Sequence, residues 1–211
     1  MEETRIIASI QAGESKYPDL FEDEAFPIDG NATPLCVSES SFDTRLRRPV
    51  DETSGYTDPV IFNDGNMQSG VVCRGKIGAQ WLMSALGCVA SHPSGNLARR
   101  LFASEDLDTT WKKYGIATCR FYVDGEWREV CVDSSLLMSE DVEEDTGAGG
   151  IKLRPIFSRC LDENELWVAF VEKAYAKVSL DLVWICVGFI GDWFYSMTTV
   201  CHDLGCFTPH P

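Results

Sequence analysis

Positive charge is scarce in this chain. Lys and Arg number 18 against 33 Asp and Glu, for a net charge of −15. That balance excludes nucleic acid and anionic membrane surfaces as natural partners, because both repel an acidic protein. It leaves a protein partner or a cation, with solubility as the plainer reason for the charge. Long apolar runs are also missing. Residues 182–190 are too few to span a bilayer, and Asp192 interrupts their extension. The chain opens on Met1, Glu2 and Glu3, with no basic region and no apolar stretch behind them. No secretory signal is therefore expected. Position 2 is not glycine, which excludes N-myristoylation. Histidine occurs only 3 times, and the 9 cysteines form no Cys-x-x-Cys pair. An odd cysteine count without a signal points to free thiols in a reducing compartment, so a cytoplasmic location is expected.

What is present suits one globular unit. Apolar residues make up 45% and charged residues 24% of the 211 positions, ordinary proportions for a folded domain. A chain this long buries roughly 70% of its unfolded surface. Residues 1–19 are polar and acidic and read as a loosely ordered segment. From 20 to 75 the chain is rich in Pro, Gly, Asp, Asn and Ser and reads as loop with short helical turns. Trp81, Leu82, Ala85, Leu86 and Val89 recur at helical spacing, which predicts a buried helix over 79–90 ending before Pro93. A shorter helix is expected over 96–103. Residues 116–123 are β-branched and aromatic enough for a strand. Asp124 and Gly125 form a two-residue hairpin turn, and 127–132 return antiparallel. Glu140, Asp141, Glu143, Glu144 and Asp145 read as a solvated loop; they lack the ligand order of an EF-hand. Asp162 and Glu165 have the spacing of a capping box. Behind them Trp167, Phe170, Val171, Ala174 and Val178 make one apolar helical stripe. Residues 178–211 carry no Lys or Arg and read as a divergent apolar tail.

The most informative stretch is residues 75–86, GKIGAQWLMSAL. It resembles the nucleophile segment of the calpain family, papain-like cysteine peptidases whose pattern there is Gln-Gly-x-x-Gly-Asp-Cys-Trp-x-x-x-Ala. Gly75, Gly78, Trp81 and Ala85 fall on that pattern. The nucleophile position holds Gln80, the aspartate before it is Ala79, and the oxyanion-hole glutamine is Arg74. Other blocks share the likeness: 20–27 (LFEDEAFP), Arg47-Arg48-Pro49, Asp64-Gly65, the stretch 121–133 (FYVDGEWREVCVD), and 164–177 (NELWVAFVEKAYAK). The degenerate pattern is similar to that of the altered calpains of unicellular eukaryotes.

The resemblance implies an α+β fold, the first subdomain of a papain-like protease core, with a helical layer on a short antiparallel hairpin over residues 20–177. It also implies a second subdomain with His-Ala-Tyr-like and Asn-Pro-Trp segments. Neither segment occurs in these 211 residues, so that subdomain is expected to be missing. Family membership implies a calcium-dependent cysteine endopeptidase. The site residues imply otherwise. A carboxamide at Gln80 has no acidic proton and cannot form an acyl-enzyme, and losing an oxyanion donor alone costs about two to three powers of ten in rate. The expectation is a homologue without peptidase activity that acts as a binding or regulatory module. A truncated product with no function of its own is the remaining alternative. Calcium follows the same logic. The family aspartate nine residues before the nucleophile is Val71 here, and Glu165 is a weak candidate for a second ligand. No metal or other cofactor is expected.

Other reactive side chains have plainer readings. Cys73 lies seven residues before Gln80, in the wrong register for a nucleophile, and Cys88 lies inside the helix. His92 follows the helix with no assignable partner. Cys201, His202, Cys206 and His210 are dense, but their spacing fits no standard zinc pattern.

Overall fold

The computed structural model describes residues 2–13, 20–24, 44–52, 54–63, 72–76, 80–93, 97–104, 106–123, 125–142 and 151–178. In chain order the elements are α1 (Glu2–Gln11), β1 (Thr44–Arg47), β2 (Val72–Cys73), α2 (Gln80–Ala90), a 3-10 turn (Arg99–Leu101), α3 (Leu107–Tyr114), β3 (Ile116–Val123), β4 (Glu126–Asp133), β5 (Leu136–Val142), β6 (Ile151–Pro155), β7 (Arg159–Cys160) and α4 (Trp167–Val178). Three small antiparallel sheets result: β1-β5-β6, β2-β7 and the β3-β4 hairpin. The class is α+β, with helices packed beside antiparallel strands.

The hairpin follows from its turn. Val123 pairs with Glu126, and Gly125 takes the left-handed φ of 85° that a two-residue turn needs. The pairing runs on to Ile116 and Asp133. α3 is bounded by its own caps. The Asp106 side chain accepts the Thr109 N–H at 3.2 Å, and Gly115 closes the helix at φ 68°. Lys112 and Lys113 lie in its last turn, where the helix dipole favours cations.

α4 is the centre of the core. Trp167, Phe170, Val171 and Ala174 are fully buried, as their spacing predicts. Val168, Ala169 and Ala176 are buried as well, so the helix is enclosed on more than one face. Phe62 stacks on Trp167 at 6.0 Å and meets Phe102 edge-on at 5.3 Å. α2 buries Leu82, Leu86, Val89 and Ala90. Tyr175 takes Trp81 and Phe121 edge-on at 5.5 and 5.7 Å, which ties α2, α4 and β3 together.

Four expectations need correction. Residues 2–11 are helical, not loose: Gln11 Nε2 donates to the Tyr114 hydroxyl at 2.8 Å, and Ser104 Oγ donates to Glu3. The stretch before 75 contains β1 and β2. The helix expected over 96–103 shortens to the 3-10 turn. Glu140 and Asp141 lie in β5, the middle strand of its sheet, paired with Leu153 and Lys152; Glu140 is exposed there because alternate side chains of a strand can reach solvent without loop structure. Glu143, Glu144 and Asp145 lie outside the described residues, as does the tail from 179 onward.

Candidate functional site

The approach to α2 is shaped by backbone contact. Val72 and Cys73 pair with Cys160 and Arg159. The chain then passes Gly75 directly beneath the turn that joins β6 to β7. A Cβ on Gly75 would lie 1.8 Å from the Phe157 carbonyl oxygen and 2.3 Å from that of Ile156. Only glycine fits there, which explains why this part of the motif is kept. Lys76 Nζ donates to the Glu140 carbonyl at 2.6 Å. Ala79 and Val71 lie outside the described residues.

Gln80 is the first residue of α2 and is exposed, and Arg74 is exposed as well. A helix N-terminus is where a thiolate gains stability. This structure puts a carboxamide there, a group with nothing to ionise. Trp81 beside it is half-buried and meets Tyr175 edge-on.

The other described thiols do not replace the missing one. Cys73 sits on β2, half-buried. Cys88 is exposed but two turns into α2, about 12 Å along the axis from Gln80. Burial pushes the Cys119 and Cys160 thiols well up, and that of Cys131 up to about 11 against a hydrogen bond from Thr118. All three are protonated at neutral pH. His92 follows the C-terminal end of α2, whose axis runs roughly 15 Å from Gln80 to Ala90, so it is out of reach as a general base.

Four of the family blocks outside the nucleophile segment meet in a buried polar network, while Asp64 and Gly65 lie outside the described residues. Asp133, at the end of β4, is wholly buried. Its Oδ2 accepts the Asp23 N–H at 2.9 Å, and its Oδ1 accepts the Ser135 N–H at 2.7 Å and Lys173 Nζ at 2.8 Å. Lys173 also donates to the Ser135 carbonyl at 2.6 Å. Lys177 Nζ reaches Asp23 Oδ2 and the Cys131 carbonyl, both at 2.8 Å. Arg48 donates to Ser134 Oγ at 2.9 Å and to the Phe21 carbonyl at 2.7 Å. Burial opposes charge on Asp133, but the Lys173 ammonium and the hydrogen bonds outweigh it and hold the carboxyl below its usual range. The sequence blocks were visible one by one; their convergence was not, because the members span residues 21 to 177.

Glu165 is not a helix cap. Its Oε1 accepts the Asn63 N–H at 3.0 Å, while Leu166 N and Trp167 N donate to the Val60 and Ile61 carbonyls. The backbone of 164–167 is used in pairing with 60–61, so the helix starts only at Trp167. Asp162 instead accepts from Asn164 N and Asn63 Nδ2. Burial pushes the Glu165 carboxyl up, against the Asn63 N–H. A calcium ion needs six to eight oxygens. Glu165 is buried with one oxygen already engaged, and the described residues contain no group of three His, Cys, Asp or Glu able to hold a metal. Among the described residues, nothing completes such a shell around Glu165. Titration calorimetry should therefore give no saturable site at micromolar calcium. A single micromolar site abolished by Glu165→Ala would overturn this assignment.

No helix among the described residues is long and apolar enough to cross a membrane. The sequence pattern of the calpain family cysteine proteases matches residues 21–203, running on past Lys177. Calpain-10 of Rattus norvegicus is 31% identical over 192 residues, covering 88% of this chain and 26% of that protein. The calpain-type cysteine protease ADL1 of Oryza sativa subsp. japonica is 33% identical over 168 residues, 75% of this chain and 7% of its own. Calpain-9 of Homo sapiens is 26% identical over 160 residues, 76% of this chain and 20% of its own. The chain thus spans about a quarter or less of the length of these curated relatives. With its glycine crossing and its pattern match in place, the chain belongs to the calpain family of cysteine proteases.

Proposed function

We propose that this chain is a calpain-like cysteine peptidase homologue without peptidase activity. In this reading it corresponds to the first, nucleophile-bearing subdomain of the papain-like core and serves as a binding or regulatory module for a protein partner in the cytoplasm. The observation that carries the reading is Gln80, exposed at the first position of α2 where the family places its cysteine. Covalent acyl transfer needs a nucleophile, an activating base and an oxyanion donor set in one geometry. Gln80 and Arg74 replace the first and the last, and His92 lies at the wrong end of the helix. The protein surface that would otherwise grip a substrate can still bind an extended peptide without cutting it.

The rival reading, a calcium-dependent endopeptidase, rests on family membership alone, and a fold does not carry an activity without its site. A peptidyl epoxide that alkylates activated thiols separates the two. Intact mass measured after incubation should show no adduct that depends on the native fold. Stoichiometric labelling of one cysteine, lost on denaturation, would reveal an activated thiol and sink the reading.

A further inference from the structure

Glu172 is a carboxyl in the core. It is 2% exposed, on the enclosed helix α4. Its Oε2 accepts the Ser158 N–H at 2.7 Å. Its Oε1 and the Ser158 hydroxyl are both buried, and neither makes a hydrogen bond among the described residues. A carboxylate with a single partner in such a place is costly; the neutral acid is far cheaper to bury.

Ser158 belongs to the turn between β6 and β7, residues 156–158. That turn is clasped from two sides. Glu172 holds it from α4, and on its other side the Ile156 and Phe157 carbonyls press on Gly75. Gly75 leads from β2 into α2, and β2 is paired to β7. The turn is the mechanical link between the buried acid and the N-terminus of α2.

We propose that Glu172 is a proton-operated latch: while its carboxyl is neutral the 156–158 turn stays closed on α4, and ionisation favours release of the turn together with the Gly75 crossing in front of α2. The exposed surface at Gln80 then responds to pH through the core. Burial pushes the Glu172 carboxyl up to about 7, with Ser158 pulling the other way. The other charged and titratable groups of the packed elements are committed elsewhere. Lys173 is engaged with Asp133 and Ser135, Lys177 with Asp23, Lys76 with the Glu140 carbonyl and Arg154 with Glu163, and the Arg159 charge acts on Tyr56. The Cys160 thiol is kept neutral by burial.

The sign follows from proton linkage. The closed form holds a proton that the opened carboxyl, with an ordinary value near 4.5, gives up. Opening therefore becomes easier by about tenfold per pH unit from about 5 to 7, and levels off above 7 where the closed form also ionises. Amide hydrogen exchange on the whole 211-residue chain reads this directly. The protection factor of the Ser158 amide should fall over pH 5–7, insensitively to low denaturant, and Glu172→Gln should make it flat. Two results would overturn the latch. One is a Ser158 profile unchanged by Glu172→Gln. The other is a Ser158 amide as protected as that of Leu86, with the same denaturant dependence, which would mean that the turn opens only with global unfolding. If Glu172→Gln does not fold, carboxyl carbon-13 titration of the unmodified chain decides. A Glu172 midpoint near 7 supports the latch, and one below about 5 overturns it.

Discussion

Gly75→Ala should lose about 3 kcal/mol of stability, near the upper end of overpacking costs. The new methyl would meet backbone oxygens at 1.8 and 2.3 Å, and backbone cannot rotate aside as a side chain can. Either β2 separates from β7, losing the Val72–Cys160 and Cys73–Arg159 pairs, or the 156–158 turn leaves α4. Each route opens the core beside α2. For a domain of this size the cost corresponds to a fall of roughly 6–12 °C in melting temperature. Gly125→Ala is the control. Gly125 has φ 85° but nothing within 4 Å of a new Cβ, so it should lose only about 1 kcal/mol, the cost of left-handed backbone for a residue with a side chain. Thermal melts of the two variants separate contact from conformation. Equal losses would show that the Gly75 crossing is looser than described.

Lys173→Met should cost about 3–5 kcal/mol at neutral pH, because it leaves Asp133 charged and buried without its cation. The pH dependence should also reverse. In the unmodified chain Asp133 has a depressed folded value. Its stabilisation is full above the unfolded value, near 4, and is lost as pH falls through the folded one. In Lys173→Met burial dominates and raises the folded value. The folded variant then retains a proton that the unfolded chain gives up, so it gains stability as pH falls from 7 toward 4. Urea unfolding from pH 3 to 8 checks this. Adding Asp133→Asn to Lys173→Met should recover part of the loss, since the pair is coupled. A variant whose stability runs parallel to the unmodified chain at every pH would remove Asp133–Lys173 from the account.

These two sites also mark what sequence reading reaches. The β3-β4 hairpin was legible because Asp124 and Gly125 define its register locally. α2 was legible from five apolar residues at helical spacing. Gln80 and Arg74 were legible because Trp81 and two glycines fix the motif's alignment. Contacts made at long range were not. α1 is short, acidic and without a buried residue; what places it is contact with Tyr114 and Ser104, a hundred residues away. β5 looked like a charged loop because both of its partners lie outside the local stretch, β1 some ninety residues earlier and β6, which pairs Glu140 and Asp141, from Ile151 onward. Glu165 matched a capping box by spacing, but pairing with 60–61 took the backbone first. α3 was overlooked although Asp106 and Gly115 bracket it with the cap residues such a helix needs. The buried network was invisible for the same reason as α1. Each of Asp23, Arg48, Asp133, Lys173 and Lys177 looks like a surface charge until the chain is folded.

The network alters the meaning of the family likeness. The block around Lys173 and Lys177 carries much of the family likeness, and its lysines hold buried Asp133, Asp23 and the Ser135 and Cys131 carbonyls. Motif retention there reports the fold. In the proposed reading, the residues that would report chemistry are Gln80, Ala79 and Arg74.

The direct test is turnover. The purified chain is incubated with casein and with a calpain-type fluorogenic peptide, with and without millimolar calcium, before and after treatment with a thiol alkylator. The expected result is no cleavage above the buffer control in any arm, and none from Gln80→Cys, because no histidine among the described residues lies beside the start of α2. Cleavage by the unmodified chain that the alkylator abolishes would contradict it.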